Sequence, residues 1–284
     1  MTRTLRLFLL ALLVWSPSRN AEAQTWDLYW QHADGRRASW AMDGTTRLNG
    51  ELLPTGLFPD IPALDPLWHI EQAEEPNMLL RHQGDGRLAL WWVSCGHPSE
   101  TFELPQVPDL NWKVRGWANF NDLPFFYLVW QNEATGQIAA WKMRNQTRVD
   151  TMLLTPSVPD TNWRIVGVAD FNSDGNSDLL WQHQTSGLIG LWYMNGLTRT
   201  EGVLLGQVPD TDWKIRGVTH VNDDDDYYPD LIWQHQTTGL ISVWLMKGRQ
   251  QVAGIVLSPP ADRVPDTNWR IVGGGYRDYW GCQA

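Results

Sequence analysis

Cysteine, basic charge, long apolar runs and catalytic spacings are all scarce in this chain. There are two cysteines in 284 residues, and they do not form a C-x-x-C pair. No H-x-x-x-H spacing occurs either, so the common zinc-ligand patterns are missing. There is no G-x-S-x-G elbow and the histidines fall in recurring positions, so no catalytic arrangement stands out. Lysine and arginine number 22 against 32 acidic residues, a net charge of −10. That balance argues against a nucleic-acid backbone as partner, which needs a basic patch. The one apolar run, Leu7 to Trp15, is too short to span a bilayer, and none follows it. Outside that run no segment has a helical period.

The run reads as part of a secretory leader. Arg3 and Arg6 precede it, and Ala21-Glu22-Ala23 is an A-x-A cleavage site. The expected mature chain starts near Gln24 and is secreted, to the extracellular space or the periplasm. In an oxidising compartment Cys95 and Cys282 either pair or stand as two free thiols.

What the chain has in abundance is tryptophan, 19 residues, and it is periodic. One series runs Trp30, Arg81 (a substitution), Trp130, Trp181, Trp233, and a second runs Trp40, Trp91, Trp141, Trp192, Trp244, both at spacings of 49 to 52 residues. Trp68, Trp112, Trp163, Trp213 and Trp269 form a third. A period near fifty residues implies a propeller or a solenoid. Each unit reads as four short strands; in the fourth unit these are 163–169, 179–184, 188–194 and about 199–205. A glycine (Gly35, Gly86, Gly136, Gly187, Gly239) ends the turn between strands two and three, as a hairpin needing positive φ requires. V-P-D-x-N/D-W links lead into the next unit, at Val107, Val158, Val208 and Val264. The mature N-terminus enters at strand two of unit one, and its missing strand one is supplied by Trp269 to Gly275. That is how a ring closes without exposed edges. The expectation is an all-β, five-bladed β-propeller over residues 24–284, with four-stranded antiparallel blades and strand one nearest the axis.

One loop carries metal chemistry. Asp170, Asn172, Asp174, Asn176 and Asp178 form D-x-N-x-D-G-x-x-D, which offers hard oxygens with a glycine at the bend, the pattern calcium (Ca2+) takes. The other reading is a solvated hairpin loop. A variant follows at Asn222, Asp224, Asp226, the Tyr228 carbonyl and Asp230, with Tyr227 in place of the glycine. Blade three lacks the last carboxylate, because Tyr127 stands there.

The run Val168 to Trp181, V-A-D-F-N-S-D-G-N-S-D-L-L-W, resembles the FG-GAP, or VCBS, repeat of integrin-α-type propellers and secreted bacterial proteins. The resemblance implies calcium at a blade rim, held by Asp170, Asn172, Asp174, Asn176 and Asp178. Some members are lectins, which implies carbohydrate between blades.

The recurring W-Q-H tripeptide gives the ligand candidates Gln31, His32, Gln182, His183, Gln234 and His235. Amide and imidazole groups beside aromatics suit sugar hydroxyls. The other reading is that they hydrogen-bond neighbouring backbone and serve the fold. The three tryptophan series are expected to pack between sheets, while Trp26, Trp92, Trp117 and Trp280 break register and are expected at the surface. A disulfide between Cys95 and Cys282 would tie the closing strand into the ring. The functional expectation is a non-enzymatic binding module for glycans; a protein-adhesion module and a polysaccharide-active enzyme are the alternatives.

Overall fold

The computed structural model describes residues 25–53, 66–74, 77–94, 97–221, 228–257 and 263–276. The leader, Asn222, Asp224, Asp226, Trp280 and both cysteines of the expected disulfide, Cys95 and Cys282, lie outside the described residues. Among those described there is no helix, and so none long and apolar enough to cross a membrane. There are twenty strands. The first seven are β1 (Thr25–His32), β2 (Arg37–Asp43), β3 (Thr46–Leu53), β4 (Trp68–Glu74), β5 (Asn77–His82), β6 (Leu88–Ser94) and β7 (His97–Leu104). Next come β8 (Trp112–Ala118), β9 (Phe126–Asn132), β10 (Ile138–Arg144), β11 (Thr147–Leu154), β12 (Trp163–Ala169), β13 (Asp178–His183) and β14 (Leu188–Asn195). The last are β15 (Thr198–Gln207), β16 (Trp213–Thr219), β17 (Asp230–His235), β18 (Ile241–Lys247), β19 (Gln250–Val256) and β20 (Trp269–Tyr276).

They form four-stranded antiparallel units. β8–β9–β10–β11, β12–β13–β14–β15 and β16–β17–β18–β19 are consecutive meanders. The remaining two, β20–β1–β2–β3 and β4–β5–β6–β7, are joined by a single parallel contact, Gly273 to Ala73. The chain's last strand therefore pairs with its first, Asp27 opposite Gly275 and His32 opposite Trp269.

Burial is greatest at the second strand of each unit, intermediate at the first and least at the fourth. β5, β9, β13 and β17 are covered along almost their whole length, whereas β11, β15 and β19 are mostly exposed. Strands buried on both faces read as unbroken apolar runs, and D-L-L-W and D-L-I-W are such runs. The core divides into five clusters, each fed by two sheets. Tyr127 and Val129 meet Ile165 and Trp181 in one, and Leu180 and Leu191 meet Leu231 and Trp233 in another. Trp30 and Trp40 meet Ile232 and Val243, joining the last sheet to the first.

Every inner strand carries a β-bulge at one position. Register shifts between Ile70 and Gln72, Val114 and Gly116, Ile165 and Gly167, and Ile215 and Gly217, with the matching shift on β20 opposite Tyr29 and Trp30. The unpaired residues are Glu71, Arg115, Val166, Arg216 and Val272. A bulge re-aims the side chain it carries.

Two expectations are corrected. Trp68 pairs with His82 as Trp163 does with His183, so Leu80 occupies the strand-two tryptophan position and Arg81 the glutamine position. Trp26 is buried, its Nε1 donating to the Gly44 carbonyl at 2.9 Å, because both faces of β1 are covered. Trp92 is 42% exposed, as expected.

Candidate functional site

The glutamines of W-Q-H lie in the seams between sheets. Gln182 Nε2 donates to the Trp213 carbonyl (2.9 Å), and its Oε1 accepts from the Ile215 N–H (3.1 Å). Gln131 does the same with Trp163 and Ile165, and Gln234 with Trp269 and Ile271. Each amide acts as a peptide group spliced between two backbones. Gln31 accepts from the Ile70 N–H but turns its Nε2 to the His32 and Arg36 carbonyls, while Arg37 supplies the bond to the Trp68 carbonyl. In the second sheet Arg81 takes over, donating to the carbonyls of Trp112, Val107 and Asp109.

The histidines fasten the links. His183 Nδ1 accepts from the Ser186 N–H (3.1 Å), which leaves the proton on Nε2, 3.0 Å from Asp160 of the V-P-D link. His235 meets Asp210, and His32 meets Asp266, in the same way. The ring also stands edge-on to the link's tryptophan, 5.0 Å from Trp163 and from Trp213. Asn132 replaces the imidazole in the third sheet: its Oδ1 accepts from Ala134 and Thr135 N–H, and its Nδ2 donates to Asp109. Asp109, Asp160, Asp210 and Asp266 are all held below the usual carboxylate range, chiefly by the N–H two residues on. Among the described residues the one trio of acidic, His or Cys side chains with ligand atoms within 4.8 Å of one another, Asp210, Asp212 and His235, belongs to this fastening.

In the acidic loop, Asp170 gathers backbone, accepting from the N–H groups of Asn172, Asp174 and Gly175. Asp174 Oδ1 accepts from Asn176 N–H, and its Oδ2 accepts from the Asn172 amide. Asn176 Oδ1 accepts from Gly196 N–H. Asp178 is fully buried and accepts from Phe171 and Met194 N–H. Burial, with Asp170 and Asp174 adding repulsion, pushes it up to about 7. Asp230 repeats those two backbone contacts with Val221 and Met246; Tyr228 is half-buried beside it. The oxygens of Asp170, Asn172 and Asp174 suit a hard cation by chemistry, although the three carboxylates are not drawn into one cluster. In the third sheet Asp122 has a counter-charge supplied by the chain itself: Lys142 Nζ lies 2.6 Å from it. Tyr193 stands opposite Glu201 at the corresponding place in β14, and among the described residues no lysine or arginine pairs with Asp170, Asp174 or Asp178.

Two cavities bear on the site. One, of about 260 Å³, is lined by Val158, Trp163, Trp181, Trp192 and Arg199, and the Arg199 guanidinium lies 4.6 Å from the Trp192 ring centre. Arg47 over Trp40 (4.3 Å) and Arg148 over Trp141 (4.5 Å) repeat that stack. Glycine opposite the indole, Gly50 and Gly202, leaves it room; a Cβ on Gly50 would come 2.7 Å from Trp40. The second cavity, of about 420 Å³, is bounded by β4, β8, β12, β16 and β20 together, and all five bulge residues line it. The sequence carries a signal for it: the second residue of each first strand is His69, Lys113, Arg164, Lys214 or Arg270, and His69, Lys113 and Arg270 line the cavity.

Four-stranded antiparallel units packed face to face around their first strands define an all-β chain of the β-propeller type. No family model matches the chain, and no curated protein does. Among solved structures, a chain of a nidogen/laminin complex is similar at 12% identity over 88% of this chain and 97% of that one, with a TM-score of 0.49. An auxiliary nutrient binding protein from Bacteroides thetaiotaomicron aligns at 14% identity over 78% and 54%, TM-score 0.45. The β-propeller domain of Cps50 (Swd1) from Myceliophteria thermophila aligns at 10% over 81% and 68%, TM-score 0.36. Likeness this remote bears on no ligand.

Proposed function

We propose that this chain is a secreted, calcium-stabilised, closed five-bladed β-propeller that binds carbohydrate without catalysis. The observation that carries the reading is the cavity at Trp192, where the indole is flanked by the link tryptophan Trp163 and capped by Arg199; Trp141 with Arg148 and Trp40 with Arg47 repeat the stack with buried indoles. An indole face takes the apolar face of a sugar, and a guanidinium donates to its hydroxyls. Closure of the ring is supported by three things: β20 pairs with β1, the last and first sheets share a core cluster, and one cavity is bounded by all five inner strands.

The calcium reading rests on the contrast between blades. Asp122 is neutralised from within by Lys142, whereas Asp170 and Asp174 both repel Asp178 with no lysine or arginine among the described residues paired to any of the three. A divalent ion held by Asp170, Asn172 and Asp174 would supply that charge. Chelator should then lower the melting temperature, since an ion bound only by the folded state stabilises it by mass action. Asp174→Ala should abolish that response and Asp122→Ala should leave it; a melting curve indifferent to EDTA would remove calcium from the account. A glycan array at millimolar calcium tests the ligand. Trp192→Ala should weaken a positive signal several-fold. A blank array would shift the assignment to protein adhesion, which the exposed aliphatics of the outer strands favour (Leu52 62%, Leu153 64%, Leu204 66%).

A further inference from the structure

The cavity bounded by the five inner strands departs from the character of the rest of the molecule. The chain carries −10, yet this cavity is lined by Lys113, Arg115, Arg216 and Arg270 against Glu71 and Glu133. The acids are already engaged. Glu71 lies 3.6 Å from Lys113, and Glu133 lies 2.6 Å from Arg115 and also meets Arg164. Arg216 is left with a neutral partner, Gln236 Oε1 at 3.3 Å, and Arg270 with no acidic partner among the described residues. The Nε atoms of Arg115 and Arg216 are out of reach of solvent and bond to nothing among the described residues. Burial, and behind it the charge of Arg270, pulls Arg216 down to about 10. Arg216 is half-buried beside the exposed Arg270, and a like charge next to a buried, unused donor is costly unless something answers it. The fold does not demand the charge, because the same bulge position holds Val166 and Val272 in two other blades.

We propose that the axial cavity is a binding site for a small anion bearing phosphate or carboxylate groups, held by Arg216 and Arg270 with Arg115 and Lys113 on the opposite wall. Guanidinium groups match such oxygens with paired donors. The bulges place Arg115 and Arg216, and regular strand pairing places Lys113 and Arg270; the volume lies within the range of small-molecule pockets. The site is independent of the indole pockets and of the acidic loop.

Isothermal titration of the full mature chain, stripped of divalent cations on a chelating resin and free of soluble chelator, at constant ionic strength, tests this with inorganic phosphate and succinate as probes and chloride as reference. Saturable binding of either probe is expected, and which binds more tightly tells phosphoryl from carboxylate chemistry. Arg270→Gln, an exposed change that spares the core, should weaken the dissociation constant at least tenfold. Arg216→Val should do the same while raising, not lowering, the denaturant midpoint of the ligand-free protein. A merely structural arginine would lower that midpoint. Binding no tighter than chloride, or equal binding by both variants and the parent, would overturn the proposal. Working without calcium keeps its outcome separate from that of the calcium and glycan readings.

Discussion

At the scale of single residues, the W-Q-H tripeptide is explained almost atom by atom as a device of assembly. Gln182 is buried and both ends of its amide are spent on β16. Replacing it with alanine strands the Trp213 carbonyl and the Ile215 N–H in a seam that water does not reach. Each orphaned group costs about 1–3 kcal/mol, so Gln182→Ala should lose about 2–5 kcal/mol in urea unfolding. His183 offers a finer comparison, because the molecule already contains the control: Asn132 makes both of its hydrogen bonds with an amide. His183→Asn should therefore keep most of the stability that His183→Ala loses, the latter falling by about 1–2 kcal/mol. Equal losses in the two variants would mean that the ring's contact with Trp163, not its hydrogen bonds, is what matters.

At the scale of elements, the turn between strands two and three shows why a glycine recurs. Gly187 has φ +72, and a Cβ there would stand 1.8 Å from the Val208 carbonyl of the following link, whose N–H bonds back to the Gly187 carbonyl. Gly187→Ala meets both a left-handed backbone and a clash with immovable backbone. A loss of about 2–4 kcal/mol is expected, read as a lower denaturant midpoint. The need for positive φ was legible in the sequence; the close approach of the link was not, since it joins residues of different elements. Strand order, the V-P-D links and the pairing of the two ends were legible for the same reason as the turns: they repeat. The reading slipped where repetition failed. The second unit lacks the strand-two tryptophan and has a shortened loop, so Arg81 was set against tryptophan one place out of register. Trp26 was assigned to the surface by its break in periodicity, but periodicity does not sort faces in a strand covered on both sides. The bulges were invisible because one extra residue leaves no mark in a strand too short to show a change of phase. With them went the orientation of Arg115 and Arg216, the side chains on which the axial site depends.

At the scale of the whole molecule, the links are where pH acts. Asp109, Asp160, Asp210 and Asp266 each accept from the N–H two residues on, and three of them also meet a histidine of their own blade. All four are lowered in the folded chain relative to about 3.9 for an unfolded aspartate. A lowered carboxylate contributes stability that is fully present above its unfolded value and is lost as pH falls through its folded one. Melting temperature should therefore be nearly level from pH 7 to about 5 as far as these groups decide it, and drop steeply below about pH 4. Because the four links sit in separate blades, the form of the acid transition reports on the architecture. If the five sheets close into a circle as proposed, they have no end from which to fray, so the links should fail together, with far-ultraviolet dichroism and tryptophan fluorescence tracing one coincident transition. A linear stack would lose its terminal units first, because each unit contacts only its neighbours. Removing residues 269–284 supplies the comparison: without β20, β1 loses its inner partner and the circle becomes a row. The acid transition of that variant should broaden and split between the two probes. A truncated chain that still unfolded in one sharp step would show that cooperativity does not come from closure.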